Sequence, residues 1–119
     1  MKLVLVVEDD DAVLEVIKAM LGDRYAILEA RDGKEAVEKY RVFKPNIVLM
    51  DVVMPEMDGV EATREIKRMD PNAKIIGVTA YAKQRASDLL EAGALEVVEK
   101  PFSKSTLVST IEKYINSPE

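Results

Sequence analysis

Five short and nearly continuous apolar runs alternate along the chain with segments whose apolar residues recur every three or four positions. The runs occupy residues 3–7, 25–30, 46–50, 74–79 and 95–98. Such runs are typical of parallel strands that are buried on both faces of a sheet. The alternation therefore predicts an α/β fold: a doubly wound (βα)5 three-layer sandwich in which right-handed crossovers place helices on both faces of a parallel five-stranded sheet.

The segments between the runs carry apolar stripes at helical spacing, which predict five amphipathic helices. The residues of the five stripes, in chain order, are Val13, Ile17, Met20 and Leu21; Ala36, Val37, Tyr40 and Phe43; Ala62, Ile66 and Met69; Ala86, Leu89 and Leu90; and Leu107, Ile111, Tyr114 and Ile115. Residues that favour helix starts precede several of them. Asp10 and Asp11 are candidate N-caps, Asp32 and Glu35 have the spacing of a capping box, and Ser103 precedes the last stripe.

Composition excludes several classes of function. The 119 residues include no Cys and no His, which removes thiolate and imidazole catalysis and the usual ligands of zinc and iron–sulfur sites. The formal net charge is −5, so nucleic acid and anionic lipid are not expected partners. No apolar run approaches the roughly 20 residues of a membrane span, and we expect a cytoplasmic protein.

Charged and hydroxyl side chains follow the predicted strands at the edge where doubly wound sheets bind ligands. Glu8 and Asp9 follow the first strand, Asp51 follows the third, Thr79 ends the fourth, and Lys100 comes soon after the fifth. If the strands of the sheet have the order 2-1-3-4-5, the carboxyl ends of the first, third, fourth and fifth strands lie close together and the second strand is an edge strand. Two carboxylates about 4 Å apart repel by roughly 4 kcal/mol at an effective dielectric constant of about 20, so a cation is needed.

Lysine and a hard metal ion are the two cations that this edge can accommodate. Oxygen ligands without imidazole or thiolate suit Mg²⁺, which keeps several of its waters. A carboxylate beside a divalent cation, a lysine and a hydroxyl is an arrangement that can accept a phosphoryl group, because phosphoryl transfer depends mainly on charge neutralisation and positioning.

Four motifs at these strand ends resemble the receiver domain of two-component response regulators, and the resemblance covers essentially the whole chain. The motifs lie at residues 5–10, at 48–51 with 54–59, at 78–80, and at 92–94 with 100–102. The resemblance implies a flavodoxin-like fold and a single receiver domain over residues 1–119. It further implies a monomeric signalling switch rather than an enzyme, with only self-phosphorylation and autodephosphorylation as its chemistry.

The resemblance also implies roles for individual residues. Asp51 is the implied phosphoacceptor, taking a phosphoryl group from a phosphohistidine of a sensor histidine kinase or histidine phosphotransferase. Asp9, Asp51 and the backbone carbonyl of Val53 are the implied ligands of Mg²⁺, and Glu8 acts through water.

Three further residues are implied to bind the phosphoryl group. The Thr79 hydroxyl and the Ala80 backbone amide bind its oxygens, and Lys100 pairs first with Asp51 and then with the phosphoryl group. Movement of the Thr79 loop and of the fourth helix then alters the binding of a downstream protein or passes the phosphoryl group onward.

The chain departs from the common pattern of the family near the site. Val97 stands where many members carry an aromatic ring that swings inward on phosphorylation, so we expect the loop after Thr79 to carry the response. Val53 and Tyr81 are expected to cover the pocket and to slow hydrolysis of the phosphorylated form.

Rival readings of the same residues make distinct predictions. An aspartate-nucleophile phosphatase or dehalogenase-like hydrolase needs an acid two residues after Asp51, where Val53 stands. A flavin-binding module needs a phosphate-cradling loop after the first strand, where the chain has acidic residues. The third alternative is a structural interaction module with a vestigial pocket.

The chain can be a stand-alone receiver or the receiver part of a larger protein. The sequence does not identify its kinase or its downstream target.

Overall fold

The computed structural model describes residues 1–54, 56–80 and 82–117, without the side chains of 82–84. Strands and helices alternate as β1 Leu3–Val7, α1 Asp11–Leu21, β2 Ala26–Ala30, α2 Gly33–Phe43, β3 Ile47–Met50, α3 Gly59–Met69, β4 Ile75–Thr79, α4 Ala82–Ala92, β5 Glu96–Glu99 and α5 Lys104–Ile115. Each strand agrees with its predicted range to within one residue at either end. None of the described helices is long and apolar enough to cross a membrane.

All strand pairings are parallel, and the sheet has the order β2-β1-β3-β4-β5. This confirms the predicted doubly wound architecture and makes β2 and β5 the two edge strands. Because the strands are parallel, their carboxyl ends lie along one edge of the sheet and the following helices all begin there. The residues that follow β1, β3, β4 and β5 are therefore neighbours.

The sheet separates two apolar cores, because successive side chains of a strand point to opposite faces. Leu5 and Val7 of β1 pack with residues of α2, α3 and α4 on one side. Val4 and Val6 of the same strand pack with α1 and α5 on the other side. All four side chains are at most 1% exposed, which explains why the strand reads as a continuous apolar run.

The apolar stripes identified the helices but overstated burial at three positions. Phe43 is 53% exposed, Leu90 is 48% exposed and Met69 is 38% exposed. Phe43 and Met69 are the last residues of their helices, beyond the part of the helix that packs on the sheet. Leu90 follows the fully buried Leu89 and lies about 100° further around α4, on the side that faces solvent.

Side-chain caps start the helices largely as predicted. Asp10 is the N-cap of α1, where its carboxylate accepts hydrogen bonds from two backbone amides, and Ser103 is the N-cap of α5. Asp11 is not a cap: it is the first residue of α1, where its negative charge favours the helix N-terminus.

The capping box at α2 is formed in a shifted version. The Glu35 amide donates to Asp32 Oδ1 at 2.7 Å, as expected for the first half of the motif. The Glu35 carboxylate instead accepts from the Arg31 amide at 2.6 Å, one residue before the N-cap. The β2–α2 connection is therefore braced one residue earlier than the standard box.

Gly59 brings the start of α3 against the end of β3. Its amide donates to the Val52 carbonyl oxygen at 2.8 Å, and a Cβ atom at this position would overlap the backbone carbonyl of Asp51. Gly77 in β4 is also closely packed, but a Cβ there would meet the end of the Leu89 side chain at 2.7 Å. Of these two glycines, Gly59 is the one at which backbone must move to admit a methyl group.

We predict that Gly59→Ala lowers the free energy of unfolding by about 3 kcal/mol or more, since overpacking against backbone cannot be relieved by a rotamer change. Gly77→Ala is the matched control, with an expected loss of about 1 kcal/mol because Leu89 can adjust. Urea unfolding measures both values. Equal losses in the two variants would contradict the close approach of α3 to Asp51.

Candidate functional site

Two buried carboxylates lie side by side at the carboxyl edge of the sheet. Glu8 directly follows β1 and is 2% exposed, and Asp51 directly follows β3 and is 6% exposed. The Glu8 amide donates to the Ala30 carbonyl oxygen at 2.9 Å, and the Asp51 amide donates to the Val7 carbonyl oxygen at 3.1 Å. Ladder hydrogen bonds of the sheet thus continue into both residues and hold their backbones in place.

Lys100 supplies one positive charge to both carboxylates. Its Nζ lies 2.7 Å from Glu8 Oε1 and 3.5 Å from Asp51 Oδ2, and its side chain is 18% exposed. The Lys100 amide donates to the Thr79 carbonyl oxygen at 3.0 Å, which positions the residue just beyond the paired ends of β4 and β5. The predicted association of Lys100 with the two acids is therefore present in the structure.

The site disfavours a second negative charge despite the lysine. Burial, followed by the charge of Glu8, raises the pKa of the Asp51 carboxyl to about 7 against the opposing effect of Lys100. Burial lowers the pKa of the Lys100 ammonium, but its hydrogen bond to Glu8 and the two carboxylate charges outweigh burial and raise it. One ammonium thus does not neutralise the pocket, and a further cation would stabilise ionised Asp51.

Three carboxylates together form a candidate metal centre. Glu8, Asp9 and Asp51 each offer an oxygen, and these oxygens all lie within 4.8 Å of one another. Asp9 is exposed whereas the other two are buried, so the cluster opens to solvent on the Asp9 side. A shallow group of oxygen ligands with access to water matches the preference of Mg²⁺ for a few carboxylates and several retained waters.

Hydrogen bonds to the backbone orient the same acids. The Val52 amide donates to Asp51 Oδ1 at 2.8 Å, and the Asp10 amide donates to Glu8 Oε2 at 3.2 Å. Sequence reasoning missed both amides, and it also missed Gly59 as the residue that packs against Asp51. An Asp-Gly pair directly before an apolar helical stripe was the available signal for that close approach.

The remaining predicted site residues lie at or just beyond the ends of β3 and β4. Thr79 ends β4 and is fully buried, and the following Ala80 is exposed. Val53 has 56% of its surface exposed. Tyr81, the other residue predicted to cover the pocket, lies outside the described part of the chain.

Sequence comparisons agree with this geometry. The profile of the response regulator receiver domain matches residues 4–112. The chemotaxis protein CheY of Thermotoga maritima is 42% identical over 115 residues, which cover 94% of this chain and 96% of the relative. CheY of Bacillus subtilis is 38% identical over 116 residues, which cover 95% and 97% of the two chains.

Solved structures show the same fold. The receiver domain of a sensor histidine kinase from Pseudomonas aeruginosa, with a magnesium ion coordinated in its active-site cleft, has a TM-score of 0.92 and 33% identity and covers 98% of each chain. CheY of Borrelia burgdorferi in a complex with CheX, BeF3 and magnesium has a TM-score of 0.91 and 28% identity, with 98% and 90% of the two chains covered. The fold, the acidic site and these relatives together show that the chain belongs to the response regulator receiver domain family.

Proposed function

We propose that residues 1–119 act as a phosphoacceptor switch in which Asp51 takes a phosphoryl group from a phosphohistidine of a histidine kinase or histidine phosphotransferase. The observation that carries the proposal is the buried Asp51 carboxylate, which shares the Lys100 ammonium with Glu8 and lies next to Asp9. In the transfer, the P–N bond of the partner's histidine breaks as a P–O bond to Asp51 forms. The imidazole leaves as a neutral group after taking a proton from solvent.

Positioning and charge neutralisation are the contributions that phosphoryl transfer requires of the protein. The Val52 amide holds one oxygen of Asp51, and the backbone of Asp51 is fixed by its hydrogen bond to Val7. The nucleophile is thus pre-oriented, and no histidine or thiol of this chain is needed.

Asp9, Asp51 and the Val53 carbonyl would hold Mg²⁺, with Glu8 acting through water. The exposed position of Asp9 and the oxygen-only ligand set support this choice. When bound, the ion supplies positive charge to the phosphoryl oxygens. The magnesium-bound Pseudomonas receiver domain provides the precedent within the family.

Lys100, Thr79 and Ala80 would respond to the modified Asp51. Lys100 is already within reach of Asp51 and can pair with a phosphoryl oxygen without crossing the pocket. The Thr79 hydroxyl and the Ala80 amide bind the remaining oxygens, so the phosphoryl group draws the loop after β4 toward the site. We infer that this loop and α4 are the parts that change when Asp51 is phosphorylated.

Return to the resting state occurs by hydrolysis of the aspartyl phosphate. We propose that Val53 and Tyr81 slow this step. The switch acts as a monomer that binds proteins rather than nucleic acid, and its cytoplasmic location stays a prediction of the sequence.

Incubation with Mg²⁺ and acetyl phosphate tests the central assignment. We expect a labile mass increase of about 80 Da, the mass of one phosphoryl group, in the parent and none in Asp51→Asn. Asp23→Asn is the matched control, because Asp23 is an exposed aspartate whose ion pair with Lys104 is long, at 3.8 Å. An adduct on Asp51→Asn would contradict the acceptor assignment. Steady phosphate release without an adduct would favour a hydrolase, and an unchanged parent would favour a vestigial pocket.

We predict that Mg²⁺ stabilises the protein by about 1.4 kcal/mol at ten times its dissociation constant, because it binds the folded chain and relieves repulsion among the three acids. Asp9→Asn should abolish most of this gain, and because Asp9 is exposed the variant should fold as the parent does. Glu99→Gln, at an exposed carboxylate that ends β5, should retain the gain. Thermal melting with and without Mg²⁺ measures it, and equal gains in Asp9→Asn and the parent would remove Asp9 from the metal site.

Thr79→Ala should still accept the phosphoryl group but respond weakly. A hydrogen bond to a charged group contributes about 1.5–3 kcal/mol, whereas moving an equilibrium from about 1:99 to 99:1 needs about 5.5 kcal/mol, so Thr79 and Lys100 must act together. Amide chemical shifts in the 79–85 segment, recorded with and without the phosphoryl mimic beryllofluoride, report the response. Val97→Ala should leave them largely intact, and full-sized shifts in Thr79→Ala would refute the joint role.

A further inference from the structure

The first turn of α4 has an unfavourable charge pattern for a helix start. It contains no carboxylate, whereas Arg85 places a cation there. The N-terminus of a helix carries a partial positive charge, which attracts anions and repels cations. The helices α1, α2 and α3 each have an acidic residue in the first turn, whereas α5, like α4, has none. Arg85 therefore has no carboxylate partner within the first turn of α4.

Arg85 finds two carboxylates, one of which belongs to a different part of the fold. Its Nε lies 3.1 Å from Oδ2 of Asp88, one turn further along α4. A guanidinium nitrogen, Nη2, lies 3.8 Å from Oδ2 of Asp58, the N-cap of α3. The second contact ties the start of α4 to the start of α3.

Asp58 is mechanically connected to the phosphorylation site. Its Oδ1 accepts from the Glu61 amide at 2.9 Å, so the side chain is held by the first turn of α3. The next residue, Gly59, donates its amide to Val52 and packs against the backbone of Asp51. Asp58 thus directly precedes a residue that is hydrogen-bonded to Val52 and packed on the Asp51 backbone, so a movement of that backbone can be passed to the carboxylate that holds Arg85.

A charged cleft lies between the described residues of α3 and α4 at this end. A cleft of about 470 Å³ separates the two helices there, and charged residues such as Glu61, Arg64 and Arg68 line most of it. Within the described part of the chain, the Arg85–Asp58 contact is the ion pair that crosses this cleft. A charged, solvent-filled cleft leaves α4 room to move once the pair is broken.

We propose that the Arg85–Asp58 ion pair is a restraining contact that favours the resting position of α4, so that Arg85 sets how readily a change at Asp51 moves this helix. The inference rests on the proposed function. The conformation that contains the pair is the one in which Lys100 is shared by Glu8 and Asp51. In the proposed switch, Lys100 pairs with the phosphoryl group after phosphorylation and the Arg85–Asp58 pair is broken as α4 moves.

Thermodynamic linkage gives the direction of the effect. A contact made only in the resting state opposes any ligand that selects the activated state, and its removal tightens that ligand by the same factor. Both side chains are about a third or more exposed, at 34% and 43%, so the contribution is that of a partly solvated pair. We expect removal of the pair to shift the equilibrium about two- to fivefold.

Two substitutions isolate the pair. Arg85→Gln removes its positive charge, and Asp58→Asn removes its negative charge while leaving α3 with an N-cap residue of equal quality. Each should tighten beryllofluoride binding about two- to fivefold in the presence of Mg²⁺ and should move the free α4 amide shifts toward their bound positions. The double variant should behave like either single variant. Amide shifts of residues 85–92 during titration of the full chain supply both readouts.

Two control variants test whether the effect belongs to this pair. Arg64→Gln removes a cation that lines the same cleft and for which the described residues provide no ion pair. Asp88→Asn removes the other partner of Arg85 and leaves Asp58 in place. Neither should tighten beryllofluoride binding.

The outcomes separate this inference from the function on which it rests. Unchanged affinity in Arg85→Gln and Asp58→Asn, or effects that add fully in the double variant, would overturn the restraining contact alone. Tightening by Arg64→Gln of the same size would also overturn it, since the general charge of the cleft would then be responsible. A parent protein that binds no beryllofluoride would overturn the proposed function and this inference with it.

Discussion

The sharing of one ammonium by two buried carboxylates is the interaction on which the rest of this structure depends. Glu8 and Asp51 are almost inaccessible to solvent, and Lys100 compensates for only part of their charge. Two buried carboxylates with one ammonium between them are unfavourable unless further positive charge is available, which agrees with the raised pKa of Asp51. The excess of negative charge, which destabilises the fold, also favours the binding of a divalent cation in the pocket. In the proposed switch, a phosphoryl group on Asp51 would change the partners of Lys100.

Parallel strand order explains why caps and site residues occupy the same edge. Every helix begins where a strand has just ended, so the N-caps Asp10, Asp32 and Asp58 lie on the side of the molecule that carries Glu8 and Asp51. Helix N-termini favour negative charge, which lowers the cost of concentrating acids there. Asp58 has two roles in this arrangement, because its carboxylate both caps α3 and lies next to Arg85 of α4.

The valine at position 97 shapes how a signal can leave the site. Val97 is partly buried against the core that contains Leu89, and its short side chain cannot exchange a buried position for an exposed one as a ring can. In the mechanism proposed here, the loop after Thr79 carries one part of the response and the Arg85–Asp58 contact carries another. Each is a small contribution, and a switch of useful amplitude requires several such contributions to act together.

The sequence by itself determined the five strands and placed Glu8, Asp51 and Lys100 after strand ends, because buried parallel strands leave continuous apolar runs and end at one edge. The order 2-1-3-4-5, which brings these ends together, was also what the resemblance to receiver domains implied. Helix caps such as Asp32 could also be predicted from the sequence, since a cap accepts hydrogen bonds from amides only a few residues away. Only the tertiary structure decided that Phe43 and Leu90 are exposed, that Gly59 packs against Asp51, and that Arg85 of α4 meets Asp58. These outcomes depend on where separate helices end and how closely they approach, and periodicity along one chain carries no information about the distance between two elements.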